Sequence, residues 1–354
     1  MSSLNSWLLL VIFLGCAAAI WIAGITLSDT TDVLSQRLRL GSALGGVILL
    51  AIATNLPEIA ITAGAALAHQ LDVAVGNILG GIALQTVVLV VLDAAGVRPR
   101  KPLTYLAASL TLLLEGALVV ALLLVVVMST QLPASLIAVR LTPGAALIAV
   151  LWGLGLLLLR RAGNGLPWHE GGSAPDSQDR PKGHSKTTKE QQATQRGVGT
   201  GRAALVFGVA AAVTLVAGVF IERSGEELFG RFGMSGVLFG ATVLAAATAL
   251  PELSTGLTST RLGDYQLAIS DIFGGNAFLP VLFLFATVLS GQAVLPRAHH
   301  SDIYLTALGG LLTIVYMIGL VFRPQRQYAR MGVDSIAVLL LYSIGITGLA
   351  FIAA

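Results

Sequence analysis

The chain has 354 residues, of which 55% are hydrophobic and only 11% charged, and its mean hydropathy is +0.85. An ordinary soluble domain is about a quarter charged, so a water-soluble body is excluded and lipid is the solvent for most of the chain. The formal net charge of +3 does not point to nucleic acid, because the Lys and Arg fall in loops between apolar runs, where they act as orientation signals.

The first apolar run, about residues 6–27, contains the single cysteine, Cys16, which leaves no disulfide framework and no cysteine metal site. No basic stretch precedes it, so a span is expected there rather than a cleaved signal. Runs at about 41–67, 73–95, 103–127 and 143–159 follow, each long enough to cross a bilayer as a helix. Next comes the one long polar segment, rich in Gly, Ser, Thr, Gln, Lys and Pro and nearly free of aliphatic residues; it is expected to be a disordered linker. Five more runs lie at about 203–222, 233–260, 267–290, 302–322 and 334–353. The predicted fold is an all-α polytopic membrane protein of ten transmembrane helices. Five form an N-terminal unit (1–160) and five a C-terminal unit (203–354), joined by the linker 161–202.

Seventeen of the 21 Lys and Arg stand in the loops after the first, third, fifth, seventh and ninth runs, and four on the other side. Positive charge accumulates on the cytoplasmic face, so the linker is expected in the cytoplasm and both termini outside. The chain also repeats itself. Ala53-Thr54-Asn55-Leu56-Pro57-Glu58 recurs as Ala247-Thr248-Ala249-Leu250-Pro251-Glu252, and Asn77-Ile78-Leu79-Gly80-Gly81 as Asp271-Ile272-Phe273-Gly274-Gly275, both at an offset of 194 residues. With five spans per half, the second half enters the membrane the other way up, which makes the repeat inverted, as in many secondary transporters.

Pro57 and Pro251 lie well inside their runs. A proline there cannot donate to the carbonyl four residues earlier, so carbonyls near Ala53, Thr54, Ala247 and Thr248 are available to another partner. Glu58 and Glu252 follow each break directly, placing a carboxylate beside freed carbonyls, a hard oxygen set that suits Na⁺, Ca²⁺ or a proton. The competing reading is a pair of packing kinks with neutral glutamates. Holding an ionisable group at mid-membrane costs about 2.5–3.5 kcal/mol for Asp or a basic residue, and two such groups at equivalent repeat positions favour the site. Asn77 and Asp271 either complete that site or cap the start of the next helix. Gln85 and Asn276 are further polar candidates, and the Gly-Gly pairs are read as packing residues. Glu115, without a repeat mate, is a relay or a partnered structural acid. The five histidines are expected in loops.

With Leu-Pro-Glu and Asn-x-x-Gly-Gly duplicated in inverted halves, the chain resembles the cation/Ca²⁺ exchanger superfamily, most closely its sodium/calcium exchanger branch. Thr54, Leu56, Pro57, Glu58, Gly76, Asn77 and Gly80 match the first family repeat, and Thr248, Leu250, Pro251, Glu252 and Gly274 the second. The resemblance implies Glu58, Glu252, Thr54 and Thr248 as Ca²⁺ ligands. The family's Na⁺-binding side chains differ here: Asn55 and Ala249 stand for one pair of serines, Gly81 and Gly275 for another, and Gln85 and Leu279 for the last polar position. Asn55, Asn77, Gln85 and Asp271, the last a third acid, fill out the candidate ligand set.

The expected function is that of an inner-membrane antiporter exchanging Ca²⁺ or a similar divalent cation for Na⁺ or H⁺, with no permanently bound cofactor. Its partners are the cations and the lipid bilayer, with no nucleic acid, and the oligomeric state is left open. A non-transporting ion sensor or scaffold on the same fold is the alternative. An intramembrane protease is disfavoured, since that chemistry uses paired Asp on adjacent helices.

Overall fold

A computed structural model describes residues 1, 3–37, 51–97, 101–107, 109–162, 165–167, 199–261 and 263–353. The predicted linker falls mostly outside the described residues, as does the beginning of the predicted second span, 41–50.

The chain is a polytopic α-helical membrane protein. Its helices are α1 (Ser6–Arg37), α2 (Leu56–Leu67), α3 (Leu71–Val91), α4 (Leu103–Ala107), α5 (Leu110–Thr130), α6 (Pro143–Ala162), α7 (Thr200–Gly230), α8 (Gly236–Thr248), α9 (Leu250–Arg261), α10 (Tyr265–Phe278), α11 (Leu282–Ser290), α12 (His300–Phe322) and α13 (Val333–Ala353). A single π turn, Leu92–Gly96, extends α3, and another, Gly240–Leu244, lies within α8. A 3-10 turn at Leu279–Val281, forced by Pro280, links α10 to α11, since proline removes a helical donor. Gln327–Tyr328 (β1) and Met331–Gly332 (β2) form a small antiparallel pair before α13. Among the described residues eight helices are long and apolar enough to cross a membrane, or nine when α8 and α9, bent by 45°, count as one.

The predicted span ends shift where polar residues continue a helix beyond the apolar run. The first helix reaches Arg37 rather than 27, and α7 reaches Gly230 rather than 222. The fourth run divides: Leu103–Ala107 is a separate short helix, and α5 starts at Leu110 behind Ser109, whose hydroxyl accepts from the Thr111 N–H at 3.3 Å. That is a serine N-cap.

Two helices, α3 and α10, are the most enclosed of the spans. A helix apolar on all sides is a buried one, and both carry apolar side chains around their circumference. Leu79, Ile82, Val119, Leu122, Phe278 and Phe283 make up part of one core, and Ile272, Phe273, Leu312 and Tyr316 part of a second. The outer helices instead expose Trp7, Leu14, Leu158, Leu205 and Phe351, which suits contact with lipid tails.

Packing across the halves is reciprocal. The long helices α1 and α7 lie against each other, α1 also against α9, and α7 against α2. Gly24 of α1 abuts Pro251, where an added Cβ would stand 2.7 Å from the proline Cβ, and Gly218 of α7 abuts Pro57, with 3.3 Å to its Cα. Glycine at both positions lets a helix backbone approach the proline break.

Candidate cation site

Each Pro-Glu segment is a helix broken at one residue. Asn55 (φ −86°, ψ 14°) and Ala249 (φ −79°, ψ 4°) leave helical geometry in the same way. The helix before each break ends at Thr54 or Thr248, and each threonine hydroxyl donates back to its own helix, to the Ala51 carbonyl at 3.3 Å and the Ala245 carbonyl at 3.2 Å. Glu58 and Glu252 occupy the first turn of the helix after the break. One short stretch thus presents the carbonyl end of one helix and a carboxylate at the positive end of the next. Such a junction can offer carbonyls to a cation while the following helix stabilises the negative side chain.

All eight sequence-predicted site residues are buried: Thr54, Asn55, Glu58, Asn77, Gln85, Thr248, Glu252 and Asp271. They converge on one place. The Gln85 amide donates to Asn55 Oδ1 at 3.1 Å and to Glu58 Oε1 at 3.3 Å, while Asn55 Nδ2 donates to the Ala51 carbonyl at 2.7 Å. Asn77 Nδ2 reaches the Glu58 carbonyl at 3.5 Å, a long contact. Glu252 lies close enough to Glu58 and Asp271 for their charges to interact, Thr54 lies beside Glu252, and Thr248 beside Glu58. The pairing therefore crosses from one half to the other.

The oxygens left over define the chemistry. Among the described residues, Glu58 Oε2, both oxygens of Glu252, Asn77 Oδ1, Gln85 Oε1 and Asn276 Oδ1 are buried with no hydrogen-bond partner. Every one is an acceptor, so what this centre lacks is positive charge or protons. Burying unserved polar atoms is costly, and a hard cation satisfies several at once. Among the described residues no three His, Cys, Asp or Glu side chains gather as a metal group. The centre is instead a mixed set of carboxylates, amides and backbone carbonyls, the donor chemistry of an alkali or alkaline-earth ion rather than a transition metal.

Asn77 and Asp271 correct one expectation: they do not cap helix starts. Both helices begin six residues earlier, at Leu71 and Tyr265, and the two side chains face inward from the second turn. Gly275 also does more than pack helices, since an added Cβ would stand 2.9 Å from Asn55 Nδ2 and 3.4 Å from Gln85 Oε1. It keeps room for the two amides. Glu115 is partnered, with the Ser270 hydroxyl donating to Oε1 at 2.9 Å. The loop placement expected of the histidines needs amending at His299 and His300, which form the cap and first residue of α12.

Two hydroxyls went unremarked in the sequence. Thr255 donates to Asp271 Oδ2 at 2.6 Å and lies 3.1 Å from the Glu252 carbonyl, and Thr86 accepts from Asn276 Nδ2 at 3.0 Å. Thr255 stands three residues after Glu252, on the same helix face, and that spacing was the available signal.

The sodium/calcium exchanger protein family matches the chain over residues 7–160 and 202–350. The inner membrane protein YrbG of Escherichia coli (strain K12) is 30% identical over 263 residues, 73% of this chain and 72% of its own length. The putative antiporter CaxA of Alkalimonas amylolytica is 26% identical over 318 residues, 89% of this chain and 92% of its own. Among solved structures, the sodium-calcium exchanger NCX_Mj soaked with Na⁺ and Sr²⁺ superposes with a TM-score of 0.61 at 14% identity, covering 97% of this chain and 99% of that one. The same exchanger soaked with Na⁺ and Ca²⁺ gives 0.61 at 16% identity, covering 97% and 98%. At such identities the likeness concerns the fold.

Proposed function

Since the chain belongs to the sodium/calcium exchanger protein family, whose members exchange cations across membranes, we propose that it is a secondary active antiporter moving Ca²⁺, or a similar divalent cation, against Na⁺ or H⁺. The observation that carries this reading is the opposition of Glu58 and Glu252 across the two halves, with three of their four carboxylate oxygens unserved among the described residues. Two negative charges and freed carbonyls balance one divalent ion. Na⁺ or protons balance the same charges in its place, so competition for one centre enforces exchange.

The proposed ligands are Glu58 and Glu252 with the Thr54 and Thr248 carbonyls, supplemented by Asn55, Asn77, Gln85 and Asp271. Their roles differ between the halves. Gln85 already supplies a donor to Glu58, whereas among the described residues neither oxygen of Glu252 has a hydrogen-bond partner, so Glu252 is the carboxylate that most needs the incoming cation. Asp271 holds the charge balance on that side, braced by Thr255. Its amide variant Asp271→Asn is expected to fold normally and to lower Ca²⁺ flux about tenfold, the equivalent of roughly 1.4 kcal/mol; unchanged flux removes Asp271 from the set.

Alternating access follows from the two-unit plan: 1–160 and 203–354 as inverted five-helix repeats, ten spans in all, joined by a cytoplasmic linker with both termini outside. The reciprocal contacts of Gly24 with Pro251 and Gly218 with Pro57 support it, because both partners shift by the same 194 residues that relate the sequence motifs. A two-fold relation in the membrane plane produces such exchanged pairs. The location we propose is the inner membrane, in keeping with the name of the Escherichia coli relative.

The test is ⁴⁵Ca²⁺ uptake into proteoliposomes holding the purified protein, with an outward Na⁺ gradient or, separately, an H⁺ gradient. Uptake driven by one gradient names the counter-ion. Absence of flux for every divalent ion under both gradients overturns the antiporter and turns the reading to an ion sensor.

A further inference from the structure

A second group of buried oxygens lies where the π turn ending α3, the start of α4, the β1–β2 hairpin and the start of α13 meet. Asp93 Oδ1 accepts from the Leu103 N–H at 2.8 Å, and its Oδ2 accepts from the Gly332 N–H at 2.6 Å and the Ser335 hydroxyl at 2.8 Å. These bonds tie three segments to the end of α3. The Tyr316 hydroxyl of α12 is 3.2 Å from Ser335 Oγ.

Asp334 stands beside this knot in a different condition. It is 6% exposed, and neither carboxylate oxygen has a hydrogen-bond partner among the described residues. Neither the Arg231–Glu227 nor the His299–Asp72 ion pair of the described residues includes it. Its charge and that of Asp93 both act on Tyr316 and on each other. The nearby Arg323 donates to the Tyr105 carbonyl at 3.0 Å and lies over the Tyr105 ring.

The backbone makes room for the Asp334 oxygens. A side chain on Gly332 would collide with Oδ1, and one on Gly319 with Oδ2. Gly319 lies in the last turn of α12, which ends at Phe322. Carbonyls at a helix C-terminus lack helical partners and carry the negative end of the helix dipole. A buried carboxylate against that end, with both of its oxygens unserved among the described residues, is an arrangement that a bound cation stabilises.

We propose that Asp334, with Asp93 and the C-terminal carbonyls of α12, forms a second cation site for a hard divalent ion of the Ca²⁺ class, separate from the Pro-Glu centre. Gln85 and Asp93 are eight residues apart near and at the end of α3, about 12 Å along the helix axis at 1.5 Å per residue. An ion held here clamps the end of α3 to α12 and α13, and α3 also carries Asn77. Occupancy therefore steadies the helix that lines the first centre, which makes this a regulatory site. That regulatory role rests on reading the Pro-Glu centre as the transport site; the binding itself does not.

The experiment uses the full chain in detergent with Ca²⁺ as the probe, on the double variant Glu58→Gln/Glu252→Gln. Equilibrium ⁴⁵Ca²⁺ binding is expected to retain about one ion per chain, with a raised unfolding midpoint. Adding Asp334→Asn is expected to remove both effects, while in EDTA the triple variant unfolds no lower than the double, because the amide removes a charge that no donor serves. A purely structural Asp334 would lower that midpoint. No bound Ca²⁺ in the double variant overturns the proposal without any change at Asp334, and so does equal binding in the triple variant. Flux by the unsubstituted protein is read separately, so retained binding with failed flux leaves this site standing and removes only the transport reading.

Discussion

Glu252→Gln is expected to abolish exchange, with ⁴⁵Ca²⁺ flux in proteoliposomes falling at least about a hundredfold, and Glu58→Gln is expected to fall by a similar or somewhat smaller factor. The magnitude follows from the loss of a buried charge partner, about 3–5 kcal/mol, which at roughly 1.4 kcal/mol per decade is about two to three and a half orders of magnitude. The difference between the two follows from Gln85, whose amide already donates to Glu58 Oε1 at 3.3 Å, whereas among the described residues neither oxygen of Glu252 has a hydrogen-bond partner. Glutamine keeps the volume and removes the charge, so both variants are expected to unfold near the unsubstituted protein in ion-free buffer and to lose the stabilisation that Ca²⁺ binding at this centre confers. Flux that survives both substitutions would place the ion path elsewhere.

The eight or nine spans found among the described residues were legible because lipid leaves little choice: an apolar run about twenty residues long between polar loops becomes a helix. Where helices continue beyond an apolar run the signal fades. The stretch from Ser28 to Arg37 and that from Arg223 to Gly230 mix Ser, Thr, Asp, Glu and Arg with apolar residues. Hydropathy ends a span there although the backbone stays helical. The Pro-Glu breaks were legible for a stereochemical reason, since proline inside a run removes one specific donor. Their geometry agrees to within about ten degrees of φ and ψ at Asn55 and Ala249, although one residue is polar and the other apolar. The interhelical bonds were not legible. That Gln85 serves Asn55 and Glu58 together depends on how α3 sits against α2, and that Thr255 braces Asp271 depends on how α9 sits against α10. Spacing puts Thr255 on the face of Glu252, but neither interhelical partner follows from it.

Adjacent glycines on α3 are expected to respond in opposite ways, and this contrast tests whether helix contact distance sets the geometry of the centre. A Cβ on Gly80 would come 2.6 Å from Ala241 Cα, a backbone atom in the π turn of α8, and 3.3 Å from the Ala241 Cβ. Nothing there is the end of a flexible side chain, so Gly80→Ala must push α3 and α8 apart. On Gly81 the added Cβ would meet only Leu279 Cδ1, at 3.4 Å, an ordinary contact that a rotamer change relieves. Overpacking of this kind costs about 1–3 kcal/mol, and Gly80→Ala is expected to lower the unfolding midpoint by several degrees while Gly81→Ala leaves it nearly unchanged. The effect on transport is expected to exceed the effect on stability. Ala241 lies seven residues before Thr248 on α8, and Gly80 stands between Asn77 and Gln85 on α3, so a separation at this crossing moves Thr248 relative to Glu58, beside which it lies. Positioning errors of about 1 Å are enough to cost two orders of magnitude in a preorganised site. Gly80→Ala is therefore expected to lose most ⁴⁵Ca²⁺ flux in protein that remains folded, and Gly81→Ala to keep it. Equal flux in the two variants would mean that the Gly80 crossing packs the bundle without setting the distance across the centre.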